Sequence, residues 1–313
     1  MRAVVVGAGA VGQTYGWLLA KGGCEVHFLV REKYAEELQK GVWIYPQDKG
    51  PERWEGFEVV TSPVECDQVW FCVSSPALAH CPLDWPQALG VYLTPGLHDE
   101  VFMRQHFAEA NLVRGVIPFI AFQAPLPDES RPHEGVSWWF PPLMRLPFSG
   151  PRANEVTRLL PRAHMVASVA PTAHRGAAAA LPAVAALEIA GWSLKNMDSE
   201  LAARGIREAT DISAAVHGLG EMLTPPPFAL GLLAGLSPLL VPFDLETYLR
   251  FHFTKVGDQT RESLDTWIAE SEERGLEAGS LRRLREGRGG PGAPRPHLAE
   301  SREAVPGQQR LCR

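Results

Sequence analysis

Nine residues, Val4-Val5-Val6-Gly7-Ala8-Gly9-Ala10-Val11-Gly12, constrain this chain more than any other stretch. A β-branched run leads into G-x-G-x-x-G, a helix-compatible segment follows, and a second apolar run, Val26–Val30, comes after it. In that setting Gly7 permits the tight turn, Gly9 lets a pyrophosphate approach the main chain, and Gly12 lets the new helix pack on the sheet. The first amides of the helix, at Ala10 and Val11, then face the anion. The motif predicts a Rossmann-type dinucleotide-binding domain, with Gly7, Gly9, Ala10, Val11 and Gly12 in contact with the cofactor. A glycine turn without function is the competing reading, and the strand–turn–helix context weighs against it.

The end of the second strand selects the dinucleotide. An acidic residue there holds a ribose 2′-hydroxyl, whereas a basic one accommodates a 2′-phosphate. Arg31-Glu32-Lys33 follows Val30. A guanidinium binds phosphate through two parallel hydrogen bonds, so Arg31 points to NADP, with Glu32 as the residue that would serve NAD. A solvated charge cluster at a helix start is the plainer alternative.

Short apolar runs continue the pattern at Val42–Tyr45, Val69–Val73, Val91–Leu93 and Val116–Phe122. Separated by helical stretches, they predict a largely parallel sheet buried on both faces. Residues 123–151, rich in proline and aromatics, read as hairpin and loop. After Pro171 the pattern becomes helical: an alanine-rich stretch His174–Met197 interrupted by Pro182, a helix Ser199–Val216 capped by Asp198 and stopped by Gly218, and one long helix Asp244–Arg274 ended by Gly275. The expected fold is therefore α/β: a dinucleotide-binding domain over 1–168, an all-α domain over 169–286, and a disordered tail over 287–313, where Gly, Pro and Arg dominate.

Composition closes off other classes. Of the 313 residues 45% are hydrophobic, enough for a sizeable core, and the net charge of −6 argues against nucleic acid as a partner. Five cysteines without a C-x-x-C pair, and histidines without H-x-x-x-H spacing, predict no metal site and a reducing cytoplasmic setting. The apolar N-terminus is too short and too glycine-patterned for a signal peptide. Residues Met222–Phe243 carry no charge, but prolines interrupt them, and they read as a short buried helix rather than a membrane span.

The glycine loop, Arg31, the helical second half and the segment Gly205-Ile206-Arg207-Glu208-Ala209 together resemble the ketopantoate reductase (2-dehydropantoate 2-reductase) family. The resemblance implies NADPH-dependent reduction of a small 2-keto acid to its hydroxy acid between the two domains, and it suggests a homodimer through the helical domain. The family's strand-end lysine corresponds to Ser74 or Ser75, which become cofactor-binding candidates. Its Asn-Gly pair corresponds to Pro95-Gly96. Its catalytic lysine falls near His174-Arg175, with Ala179 where an asparagine follows.

With those groups replaced, the proton donor is sought elsewhere. Tyr248, His252, Lys255 and Gln259 are spaced by four, three and four, which places them on one stripe of the expected long helix. Lys255 and His252 are accordingly the catalytic candidates, since a partly desolvated lysine or a histidine can neutralise a carbonyl oxygen. An ordinary solvated stripe is the competing reading. The alternative at the level of function is a catalytically silent NADP-binding sensor or scaffold.

Overall fold

The computed structural model describes residues 1–46, 50–141, 144–160, 166–170, 173, 176–220 and 223–287. The chain divides into two compact units, Met1–Ala173 and a second that begins at residue 174. His174, Arg175 and all of the expected tail beyond Gly287 lie outside the described residues.

The strands of the first unit are β1 (Arg2–Val6), β2 (Glu25–Leu29), β3 (Val42–Pro46), β4 (Glu52–Trp54), β5 (Glu58–Val60), β6 (Gln68–Phe71), β7 (Leu89–Tyr92), β8 (Leu112–Gly115), β9 (Ile120–Ala124), β10 (Gly135–Trp139), β11 (Leu146–Ser149) and β12 (Ala167–Val169). Eight form one sheet in the order β12-β11-β8-β7-β6-β1-β2-β5. Val5 of the central strand lies opposite Phe28 on one side and Trp70 on the other, both in parallel register. Only the β8–β11 pair in this sheet is antiparallel. Residues 3–6 and 68–71 are buried throughout, as continuous apolar runs require when both faces of a sheet are covered.

Two strand expectations need correction. Val42–Tyr45 does form a strand, but β3 belongs to a separate four-stranded sheet, β4-β3-β10-β9. The run Val116–Phe122 is not one strand: β8 ends at Gly115 in the large sheet, and β9 starts at Ile120 in the small one. Pro118 lies between them and cannot donate to a ladder, which explains why the run divides there. The proline-rich region supplies an antiparallel β9–β10 hairpin, with Trp138 opposite Ala121.

Helix α1 (Ala10–Lys21) is covered on both sides, by β1 and β2 of the large sheet and by β9 and β10 of the small one. Tyr15 packs on Trp70 at 5.3 Å and on Phe119 at 5.2 Å, and Trp17 lies 5.9 Å from Trp138. This double cover explains a helix that is apolar nearly all round. The next helices, α2 (Glu32–Gln39), α3 (Ser75–Leu78), α4 (Asp99–Met103) and α5 (Ala153–Thr157), are short.

The second unit is helical: α6 (Gly176–Ile189), α7 (Ser199–His217), α8 (Pro227–Leu240), α9 (Leu245–Lys255), α10 (Gly257–Arg274) and α11 (Gly279–Gly287). The Asp198 carboxylate caps α7 by accepting from the amides of Glu200 and Leu201, and Gly218 ends the helix in the left-handed region. A Cβ at Gly205 would press on Leu284 and Pro182, so this glycine lets α6, α7 and α11 meet closely. Glu208 accepts from the amides of Ser280 and Leu281, both at 2.9 Å, and thereby caps α11.

Two helix expectations are corrected here. The single helix Asp244–Arg274 is two helices, because Val256 (φ −109°, ψ 20°) leaves helical geometry and Gly257 starts the next element. The helix expected within Met222–Phe243 exists as α8, but it is not buried: of its residues only Ala234 is. Among the described residues no single helix is long and apolar enough to cross a membrane.

Candidate functional site

In the large sheet the chain passes from β1 outward through β2 to β5, then returns to β6 on the other side of β1. That reversal is a topological switch point, and the carboxyl ends of β1 and β6 open a crevice there. The glycine loop occupies this edge. Gly7 has φ +94°, a conformation that L side chains rarely adopt, and its amide donates to the Leu29 carbonyl at 3.2 Å. A Cβ on Gly7 would lie 2.8 Å from Val73 Cγ1 and 2.9 Å from the Cys72 carbonyl, so β1 and β6 meet without space between them. A Cβ on Gly12 would collide with the Gly7 carbonyl oxygen. Gly9 differs from both. It precedes α1 in extended geometry, and a Cβ built on it meets nothing within 4 Å.

Two side chains brace the loop from inside. Gln13 Nε2 donates to the Ala8 carbonyl at 2.7 Å, and the Thr14 hydroxyl donates to the Ala10 carbonyl at 2.8 Å. Both residues are buried, so these bonds answer groups that would otherwise be costly. They leave the main chain at Gly9 facing open space at the start of a helix, which suits the approach of a phosphate. Burial pushes the Cys72 thiol well up from its ordinary value, so it stays protonated beside the loop.

Arg31 stands at the end of β2 as the N-cap residue of α2. Its guanidinium lies 5.2 Å from the centre of the Tyr34 ring and within 3.4 Å of the Tyr34 hydroxyl, while Lys33 approaches the same ring at 4.9 Å. Two cations thus lie near one aromatic ring at the strand end, an arrangement suited to an anion. The residues present therefore fit a dinucleotide: open main chain at Gly9 and a positive strand end at Arg31.

Ser74 and Ser75 follow β6 onto α3, and the structure separates their roles. The Ser75 hydroxyl donates to Asp99 Oδ2 at 2.7 Å. The Gly96 amide donates to both Ser75 Oγ (2.9 Å) and Asp99 Oδ2 (2.8 Å). Ser75 thus ties the loop after β6 to the loop after β7, whereas Ser74 is the N-cap residue of α3 and makes no side-chain cap. Asp99 was not singled out from sequence. Its signal is its position three residues after Gly96, where a carboxylate at a helix start can reach back to an amide. Thr94, two residues after β7, is also new: it is buried, and its hydroxyl has no partner among the described residues.

Lys255 and His252 lie in the second unit, and the stripe expected to join them with Tyr248 and Gln259 is broken. Gln259 belongs to α10, beyond the interruption at Val256. On α9 the His252 ring stacks on Tyr248 at 5.3 Å and meets Phe253 edge-on at 4.9 Å. Burial, helped by the nearby Lys255 charge, lowers the His252 pKa to about 4, so the imidazole is neutral at pH 7. The Lys255 ammonium lies 3.6 Å from the centre of the Phe251 ring, on an exposed residue.

Comparison with known proteins agrees with this architecture. Residues 3–125 match the family model described as ketopantoate reductase PanE/ApbA. No curated protein matches the chain by sequence. Among solved structures, D-mandelate dehydrogenase, in a complex with NADH and anilino(oxo)acetate, superposes with a TM-score of 0.72 at 12% identity, over 92% of this chain and 96% of that one. The 2-dehydropantoate 2-reductase from Geobacter metallireducens GS-15 gives 0.68 at 15% identity, over 92% and 98%. The PanE/ApbA family ketopantoate reductase from Ralstonia eutropha JMP134 gives 0.67 at 17% identity, over 91% and 96%. The chain is thus similar to the ketopantoate reductase family, by the family's domain over residues 3–125 and by a shared fold over 91–92% of its length.

Proposed function

We propose that this protein is an NADPH-dependent oxidoreductase that reduces a small 2-keto acid, 2-dehydropantoate or a relative, to the hydroxy acid. The observation that carries the reading is the glycine loop: a left-handed turn at Gly7, close packing at Gly12, and open space at Gly9 where α1 begins. The names of several structural relatives support the substrate class, since one is a D-mandelate dehydrogenase and others are 2-dehydropantoate 2-reductases.

When bound, the dinucleotide supplies the hydride. The chain's own residues divide the remaining tasks. Gly9 admits the pyrophosphate, and the first amides of α1, from Ala10 to Gly12, donate to its oxygens. Arg31 pairs with the 2′-phosphate and thereby selects NADPH over NADH. Ser74 offers a hydroxyl after β6, while Ser75, Gly96 and Asp99 hold the two adjacent loops in register. Lys255 neutralises the carbonyl oxygen of the substrate. His252, held neutral by its apolar surroundings, positions the α9 surface beside Lys255 rather than serving as the cation. Free thiols at Cys24, Cys66, Cys72 and Cys81 support a cytoplasmic setting.

The test is oxidation of NADPH across a panel of 2-keto acids. Turnover with at least one is expected, and Lys255→Met should lower it by roughly 10²–10⁴-fold while leaving NADPH affinity unchanged. Full activity in Lys255→Met would remove the lysine from the chemistry. Tight NADPH binding with no turnover on any acid would establish the silent NADP-binding sensor instead.

A further inference from the structure

The two ends of the crevice in the first unit differ in charge. With the pyrophosphate at Gly9, after β1, and the 2′-phosphate at Arg31, after β2, the adenosine half of a dinucleotide is assigned to the β2 side. The strand order β7-β6-β1-β2 then assigns the nicotinamide half to the opposite side, over the loops that follow β6 and β7. Arg31 and Lys33 stand at the first end. Residues 72–79 and 93–100, which form the two loops at the other end, contain no lysine or arginine, and they do contain Asp99.

Asp99 is fixed in place without being neutralised. Its Oδ2 accepts from the Ser75 hydroxyl at 2.7 Å and from the Gly96 amide at 2.8 Å. Two donors on one oxygen is the pattern of an ionised carboxylate, which only accepts. Both partners are uncharged. The cations of this region have other partners: Arg104 pairs with Glu100 at 2.7 Å and with Glu109 at 3.2 Å, and Arg114 lies 5.7 Å from the centre of the Tyr92 ring. The same bonds use up the donors of the loop after β7, because Pro95 has no amide hydrogen and the Gly96 amide is taken by Asp99 and Ser75. What this loop offers a ligand is a held anion. A nicotinamide ring is neutral when reduced and cationic when oxidised, so a fixed anion on its side of the crevice separates the two states by Coulomb energy. As the hydride and its electron pair pass to the keto carbon, the positive charge left on the ring meets a preorganised opposite charge.

We infer that Asp99 is a specificity-determining residue for the oxidation state of the dinucleotide, its carboxylate favouring the cationic ring of NADP⁺ over the neutral ring of NADPH. The inference rests on the dinucleotide reading made under the proposed function. Calorimetric titration of the full chain with NADP⁺ and, separately, with NADPH tests it through the ratio of the two dissociation constants, from which the shared phosphate contacts cancel. Asp99→Asn keeps an oxygen acceptor for Ser75 and Gly96 but removes the charge, and it should weaken NADP⁺ relative to NADPH by roughly tenfold. Asp99→Glu keeps the charge and should keep the wild-type ratio. Ser75→Ala cuts the tie between the loops and leaves the charge, so it should also keep the ratio, whatever it does to both affinities together. An unchanged ratio in Asp99→Asn overturns the inference and leaves Asp99 as a loop brace, with the dinucleotide reading standing. An equal change of ratio in Asp99→Asn and Ser75→Ala also overturns it, because loop geometry would then be the cause. A wild-type protein that binds neither cofactor overturns the inference together with the dinucleotide reading.

Discussion

Helices α1 and α8 are nearly the same length, 12 and 14 residues, and both are dominated by small and apolar side chains. Their surroundings are opposite. Residues 12–19 of α1 are all buried, because the helix lies between two sheets. In α8 only Ala234 is buried, because the helix has α7 on one side and solvent on the other. Apolar composition therefore states only that a helix must be covered. Which element covers it depends on how many faces the surrounding layers supply.

The sharpest way to break this comparison is the same substitution in both helices. Gly12→Ala puts a methyl group onto the Gly7 carbonyl oxygen, and that oxygen belongs to the backbone of the turn and has no flexible side chain to yield. It should cost about 3 kcal/mol of stability and abolish NADPH binding, read by thermal melting and fluorescence titration. Wild-type melting behaviour in Gly12→Ala would show that α1 does not pack as described.

A smaller effect is expected at the strand end. Arg31→Ala should weaken NADPH by roughly 1.5–3 kcal/mol and leave NADH nearly unchanged. Equal loss for both cofactors would assign Arg31 to the fold rather than to the 2′-phosphate.

The helical unit should be the pH-sensitive one. His252 has a folded pKa lowered from 6.5 to about 4, so the unfolded chain binds the proton more readily. Stability should be complete above pH 6.5 and decline as pH falls toward 4. Melting temperatures across that window, in wild type and His252→Phe, measure this; the variant should show a flatter profile. An identical slope in both would place the sensitivity elsewhere.

The smallest effect is the counterpart of the first. A Cβ at Gly235 in α8 meets nothing within 4 Å, so Gly235→Ala gains helix propensity alone. It should raise stability by about 0.5–1 kcal/mol in urea titration. A loss of stability there would mean that α8 is already tightly covered at that position.

How much was legible in advance differs between the two units for the same reason. The glycine loop could be read directly because each of its glycines answers a local demand: a left-handed turn at Gly7, contact with a carbonyl at Gly12, and open main chain at Gly9. The caps of α7 at Asp198 and Gly218 were equally local. Ser75 and Asp99 were not, since their hydrogen bond joins residues 24 apart through loops that only the β6–β7 pairing brings together. The stripe from Tyr248 to Gln259 failed because periodicity assumes an unbroken helix, and the Val256-Gly257 step breaks it.

The sequence by itself determined the strand–turn–helix unit, the positive charge after β2, and the change from sheet to helices, because propensities, caps and glycine conformations act over a few residues. Only the tertiary structure decided that β3 leaves the large sheet, that α1 is enclosed on two sides, and that α8 turns its leucines outward. Those outcomes depend on which distant segments pack together, and an apolar run carries no record of which partner it will bury against.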